Sequence, residues 1–273
     1  MRQALSVIGA VIGDTIGSIY EFNPTKDYNF EMFDDRMEYT DDTIMTIAVA
    51  DWILQGNRPL NSSDLIDSMQ WWGHLFDKPM GDYGYMFRKW INSSSPKPYK
   101  SWGNGSAMRV SPVGMAFNSL DETLEAAQMS ASVTHNHPEG IKGAQATAAA
   151  IYLARTGKSK DEIREYISKT FEYNLNMTCD EIRPDYEFDG SCQGTVPQSI
   201  VAFLDSKDFE DAIRLTVSLG GDADTMGSIT GGIAAAFYKE IPDKILNFVV
   251  PKLPENFKHV IDDFALFVRH NKQ

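Results

Sequence analysis

Two short stretches concentrate oxygen donors at the starts of expected helices. Residues 220–232, GGDADTMGSITGG, set Asp222, Asp224 and Thr225 between glycine pairs, at the entrance to a run of small and apolar residues. Residues 39–43, YTDDT, set Thr40, Asp41 and Asp42 directly ahead of the apolar run IMTIAVADWIL. Asp and Thr are favoured helix caps, and negative charge suits the positive end of a helix dipole. Capping alone accounts for either cluster by itself. Together they offer four carboxylates and two hydroxyls, more acid than capping two helices requires. Hard oxygen ligands of this kind suit Mg²⁺, Mn²⁺ or Ca²⁺, whereas zinc prefers His and Cys. If the two helix starts meet, a site for one or two divalent cations follows. Gly220 and Gly221 would let the backbone turn tightly into it.

Such donors need rigid elements to hold them. Apolar residues recur at helical spacing in most segments: Ile44, Ile47, Ala48 and Trp52 in one, Leu65, Ile66, Met69 and Trp72 in the next, Leu124, Ala127 and Ala131 further on. The same pattern predicts helices over about 139–156, 159–171, 208–219, 225–239 and 255–269. Alternating strand patterns are scarce, so the expected fold class is all-α. Prolines such as Pro24, Pro59, Pro79, Pro112, Pro184, Pro242 and Pro254 fall between these segments, where a fixed φ and a missing N–H end helices at little cost. No low-complexity linker or solenoid repeat interrupts the chain, which reads as one domain over residues 1–273. The irregular stretches at about 22–39, 77–108 and 173–197 are expected loops around a site. GAQATAAA at 143–150 and GSITGGIAAA at 227–236 would allow helix backbones to approach closely.

Composition narrows the partners. Lys plus Arg total 25 against 38 for Asp plus Glu, a formal charge of −13 over 273 residues, with no basic patch to attract nucleic acid or an anionic membrane. No apolar run reaches the roughly 18 to 20 residues of a membrane span. The opening MRQALSVIGAVIGD is broken by Gly9 and Gly13, lacks a small-residue cleavage site and continues with helical spacing, so it reads as a first helix and not as a signal peptide. Cys179 and Cys192 are too sparse for a disulfide framework and read as reduced thiols. A cytoplasmic protein is expected.

Five motifs in order, GAVIGDTIGSIYEF at 9–22, YTDDT at 39–43, GNGSAMR at 103–109, THNHPEGIKGA at 134–144 and GGDADTMGSITGG at 220–232, resemble the ADP-ribosylglycohydrolase family. The resemblance runs from residue 5 to about 240. It implies a compact orthogonal bundle of helices with a dinuclear Mg²⁺ or Mn²⁺ site that hydrolyses the glycosidic bond between ADP-ribose and an acceptor. The implied ligands are Thr40, Asp41, Asp42, Asp222, Asp224 and Thr225, the same residues that composition singles out. Glu21 in SIYEF, otherwise an ordinary acid after a helix, aligns with a glutamate beside the metals and the distal ribose. Asp82 in GDYGY resembles an aspartate near the sugar, on little more than a D-x-G pattern.

Asn104, Gly105 and Ser106 form a glycine-containing loop whose backbone N–H groups could cradle a diphosphate, although GNG alone is commonly just a turn. Arg109 has two readings, a phosphate contact or a structural ion pair. By resemblance His135 holds the ADP-ribose while His137 supports the loop; no other histidine or cysteine completes a zinc spacing. Tyr186 and Phe188 read as packing residues, with an adenine contact as the alternative.

The expected chemistry places two cations on the ribose diol and a water, with Glu21 or a cluster aspartate as general base and Asp82 assisting, for instance in opening the ribose ring. Surplus carboxylates favour a cationic guanidinium acceptor, hence an arginine linkage on a mono-ADP-ribosylated protein. Serine-linked and O-acetyl-ADP-ribose are alternatives. Two rivals stand beside these: a two-metal phosphoesterase, and an ADP-ribose-binding protein without turnover.

Overall fold

The computed structural model describes residues 5–55 and 59–271. The described residues form helices α1 (Leu5–Gly17), α2 (Asp41–Gln55), α3 (Ser62–Leu75), α4 (Tyr85–Ile91), α5 (Gly105–Met108), α6 (Ser111–Ala116), α7 (Leu120–Ser132) and α8 (Pro138–Arg155). They continue with α9 (Lys160–Phe171), α10 (Cys179–Ile182), α11 (Cys192–Asp205), α12 (Phe209–Val217), α13 (Ala223–Tyr238), α14 (Asp243–Val249) and α15 (Glu255–Asn271). No strand forms among them; two isolated bridges, Thr40 with Met80 and Gly103 with Ser191, tie loops to helix starts. The fold is all-α, as the periodicity predicts.

Helices α1 and α13 make the central pair. Gly9, Gly13 and Gly17 recur every fourth residue and so fall on one face of α1. They lie directly on Gly231, Gly227 and Ala223 of α13, so closely that a Cβ on Gly13 would run into the Gly227 carbonyl. The order of these contacts makes the pair antiparallel. It brings the end of α1 beside the start of α13. Ser6 Oγ fastens the other end, donating to Gly232 O at 2.8 Å. Glycine weakens an isolated helix, and here its small cross-section is what permits backbone contact.

The other helices cover this pair. Thr230 of α13 donates to Ser199 O of α11 at 2.9 Å and meets Thr216 of α12 at 3.1 Å, so buried hydroxyls lock the three helices. Gly114 of α6 accepts Ile151 of α8 at equally short range. Helices α2, α3 and α15 share an aromatic cluster in which Phe257 packs on Tyr39, Trp72 and Phe76 at ring distances of 5.1, 5.6 and 4.7 Å. A single buried apolar cluster extends from Val7 to Val268.

The predicted helices appear within a few residues of their expected bounds, except that residues 1–4 of the first one lie outside the described residues. Two expected loops are partly helical. The 77–108 stretch contains α4 and α5, and the 173–197 stretch contains α10 and the first turns of α11. Gly194 and Pro197 disguised that second start. Ser191 caps it, accepting from Gly194 N, and Pro197 is tolerated inside α11.

Candidate active site

The two acidic clusters meet. Thr225 Oγ1 on α13 lies 3.3 Å from Asp42 Oδ2 on α2, across 183 residues of sequence. Glu21, four residues past the end of α1, joins them: one oxygen each from Glu21, Asp222 and Asp224 falls within 4.8 Å of the others. These acids lie at the floor of a cleft of about 680 Å³ that Asp41, Asp42 and Thr225 also line. Thr40 is 1% exposed and lies behind that lining.

One carboxylate that the motif reading did not single out organises the first cluster. Asp14, in the last turn of α1, is fully buried. It accepts from Thr40 N at 3.0 Å, Thr40 Oγ1 at 2.7 Å and Thr43 N at 3.0 Å, and also from Thr43 Oγ1. It thus satisfies the free N–H groups at the start of α2 from another helix. It also takes the Thr40 hydroxyl proton, leaving that oxygen to accept from Asp42 N at 3.2 Å with a lone pair to spare. The sequence did carry a signal, since Asp14 is the one charged residue in α1.

Asn104 plays the matching part at α13. Its Nδ2 donates to Asp222 Oδ2 at 2.7 Å and to Thr195 Oγ1 at 3.1 Å. Burial pushes the carboxyls of Asp14 and Asp222 up to about 6, against the pull of these hydrogen bonds. Burial, followed by repulsion from Asp224 and Asp41, pushes Glu21 up to about 9. Asp41, Asp42 and Asp224 are raised for the same reasons, loss of water first and neighbouring carboxylates second.

Among the described residues no lysine or arginine forms a salt bridge with any of these acids. Asp42 Oδ1 is buried with no hydrogen-bond partner. An enclosed, all-oxygen set of acids lacking a counter-charge, with an unpaired acceptor, fits a hard divalent cation.

The remaining predicted residues fall at different depths. Asp82 lines the mouth of the cleft in a left-handed conformation, φ 65°, beside Gly81 at φ 79°. It pairs with Arg88, which holds its carboxyl below the usual range. Asn104, Gly105 and His135 line the cleft. Ser106 is fully buried behind the cleft lining and its hydroxyl donates to Gly140 O at 2.7 Å. The Asn104 N–H is likewise taken, by Gly190 O at 2.9 Å. His137 caps α8 through Nδ1. Arg109 makes no structural ion pair: it is 1% exposed, lies in the cleft wall and bonds carbonyls and a hydroxyl instead of an acid. Tyr186 donates to Gly194 O at 2.8 Å and Phe188 is exposed; neither lines the cleft. Both cysteines are free and buried.

An all-helical protein whose two acidic helix starts enclose a cation-type cleft is the class that fold and site define. The model of the ADP-ribosylglycohydrolase family matches residues 2–270, and the chain belongs to that family. It is 26% identical to an ADP-ribosylarginine hydrolase Tri1 of Pseudomonas putida (strain GB-1), over 87% of this chain and 70% of that protein. It is 25% identical to the ADP-ribosylhydrolase ARH3 of Homo sapiens, over 84% and 83%. It is 23% identical to the ADP-ribosyl-[dinitrogen reductase] glycohydrolase of Rhodospirillum rubrum, over 96% and 94%. Among solved structures, an ADP-ribosylglycohydrolase-related protein complex superposes with a TM-score of 0.79 at 24% identity, covering 99% of this chain and 98% of that one, which supports the fold. The chain is an enzyme of the kind that hydrolyses ADP-ribosyl linkages. No described helix is long and apolar enough to cross a membrane.

Proposed function

We propose that this protein uses two Mg²⁺ or Mn²⁺ ions to hydrolyse the N-glycosidic bond between ADP-ribose and an arginine side chain, reversing mono-ADP-ribosylation of a protein. The observation that carries this reading is the meeting of Glu21, Asp41, Asp42, Asp222 and Asp224 in one cleft with no salt bridge from a cationic side chain to any of them among the described residues. Asp41, Asp42, Asp222, Asp224, Thr40 and Thr225 are the proposed cation ligands. When bound, the cations would polarise oxygen ligands and acidify a coordinated water.

The chain's own residues supply the remaining chemistry. Bond cleavage builds positive charge on the ribose and frees an acceptor that needs a proton. Glu21, half-buried at the junction of the clusters, is the proposed proton acceptor from the attacking water; bound cations would offset the neighbouring carboxylates that raise it and return it to the ionised form. Asp82, ionised at the mouth, is the proposed group that steadies the developing charge on the sugar or assists ring opening. The loop at Asn104 and Gly105 and the His135 ring form the proposed wall for the ADP moiety, with Ser106 supporting the loop from behind. An arginine acceptor remains cationic at every physiological pH and favours a cleft with acids at its floor and Asp82 at its mouth. One relative bears the name of an ADP-ribosylarginine hydrolase, which accords with that acceptor.

The test is a hydrolysis panel of arginine-, serine-, glutamate- and acetyl-linked ADP-ribose, with Mg²⁺, with Mn²⁺ and with chelator. Release of intact ADP-ribose from the arginine linkage alone is expected. Release from only another linkage would move the acceptor assignment, AMP or phosphate as product would point to a phosphoesterase, and binding without product to a non-catalytic protein.

A further inference from the structure

Arg109 is a buried cation with no carboxylate beside it. Its Nη1 donates to Gly105 O at 2.8 Å, and its Nη2 donates to Ser130 O at 2.7 Å and Thr134 Oγ1 at 2.9 Å. A guanidinium only donates, so the Thr134 oxygen must be the acceptor of that last bond. The same oxygen lies 2.7 Å from His135 Nδ1. Thr134 is fully buried, and among the described residues its hydroxyl proton has no acceptor other than that nitrogen. Were Nδ1 protonated instead, the hydroxyl proton would be left enclosed and unpaired.

We infer that Thr134, with its hydroxyl oriented by Arg109, fixes His135 in the neutral tautomer whose proton sits on Nε2, making the ring a hydrogen-bond donor into the cleft. His135 is 6% exposed and lines the cleft. Its Nε2 lies against the glycine loop, 3.2 Å from where a Cβ on Gly105 would stand and 3.6 Å from one on Gly103. No protein acceptor takes the Nε2 proton among the described residues, so that donor is left for an oxygen of the ligand. Burial and the neighbouring Arg109 charge both oppose protonation of the ring and keep it neutral. Arg109 and Thr134 are therefore positioning residues, acting through His135. The ligand side of this inference rests on the ADP-ribose reading; the tautomer does not.

The test is a two-bond proton–nitrogen correlation spectrum of histidine-labelled protein, with the His135 signals assigned by their loss in His135→Gln, together with calorimetric titration by ADP-ribose. The wild-type protein should show His135 protonated at Nε2 and bare at Nδ1. Thr134→Val should mix the tautomers and weaken ADP-ribose binding about tenfold, and Thr134→Ser, which keeps the hydroxyl, should restore both. An Nδ1-protonated ring in the wild type overturns the inference, as does a Thr134→Val protein with unchanged tautomer and affinity. If Thr134→Val does not fold, the wild-type and Thr134→Ser spectra decide the matter. A wild-type protein that shows the Nε2 tautomer but binds no ADP-ribose contradicts the functional reading and leaves the relay standing.

Discussion

Asp14 and His135 show how single buried polar residues govern this site. Asp14 holds four donors at the start of α2, so Asp14→Ala leaves several of them unsatisfied at once. The expected cost is about 2 kcal/mol or more, read as a lower midpoint in urea, with activity falling along with it. His135 gives a pH signature. Its folded-state pKa lies below the ordinary value of about 6.5, so below that pH the unfolded chain takes up a proton that the folded one refuses. Its contribution to stability is complete above that pH and is lost as the pH falls through it. The loss of melting temperature between about pH 7.5 and about pH 5.5 should therefore be smaller in His135→Gln than in the wild type. The motif resemblance pointed to His135, which lines the cleft, whereas Asp14 looked like one acid in a motif. The Arg109 partners Ser130 and Thr134 lie on helix α7 and the turn after it, which no local pattern connects to residue 109.

Among the elements, the α1–α13 pair is what turns two capped helices into one site. Asp14 and Glu21 issue from the end of α1, Asp222 and Asp224 from the start of α13, and backbone contact between glycines fixes their separation. Gly13→Ala or Gly227→Ala forces a methyl group into the opposing backbone. Either should destabilise by about 1–3 kcal/mol and reduce activity by more than the unfolded fraction explains. Gly84→Ala is the stability control, because nothing lies within 4 Å of the added carbon, and should fall within about 0.5 kcal/mol of wild type. Helical periodicity made the long helices legible, and the small-residue runs announced close packing without saying which helices were partners. Sequence likewise left α4, α5, α6, α10 and α14 hidden, since one or two turns carry too little periodicity to separate from a loop. The whole of α11 was missed, masked at its start by a glycine and a proline that its tertiary setting accommodates.

At the scale of the whole molecule, the cleft gathers acids whose mutual repulsion a bound cation would relieve. In chelator, Asp222→Asn with Asp224→Asn should melt no lower than wild type, because two enclosed charges are gone. Added Mg²⁺ should then raise the melting point of the wild type alone, by the equivalent of about 2.7 kcal/mol at a hundredfold excess over Kd. The two motifs supplied the proposed donor set, but their meeting across 183 residues is a property of the folded chain. The most direct measurement is release of free ADP-ribose from an arginine-ADP-ribosylated protein after chelation and after return of Mg²⁺ or Mn²⁺. The expected result is that release stops with chelator, resumes with either cation, and is absent throughout in Asp222→Ala/Asp224→Ala. Release that survives exhaustive chelation, or that persists in the double variant, would contradict the assignment of the paired acidic helix starts as the catalytic cation site.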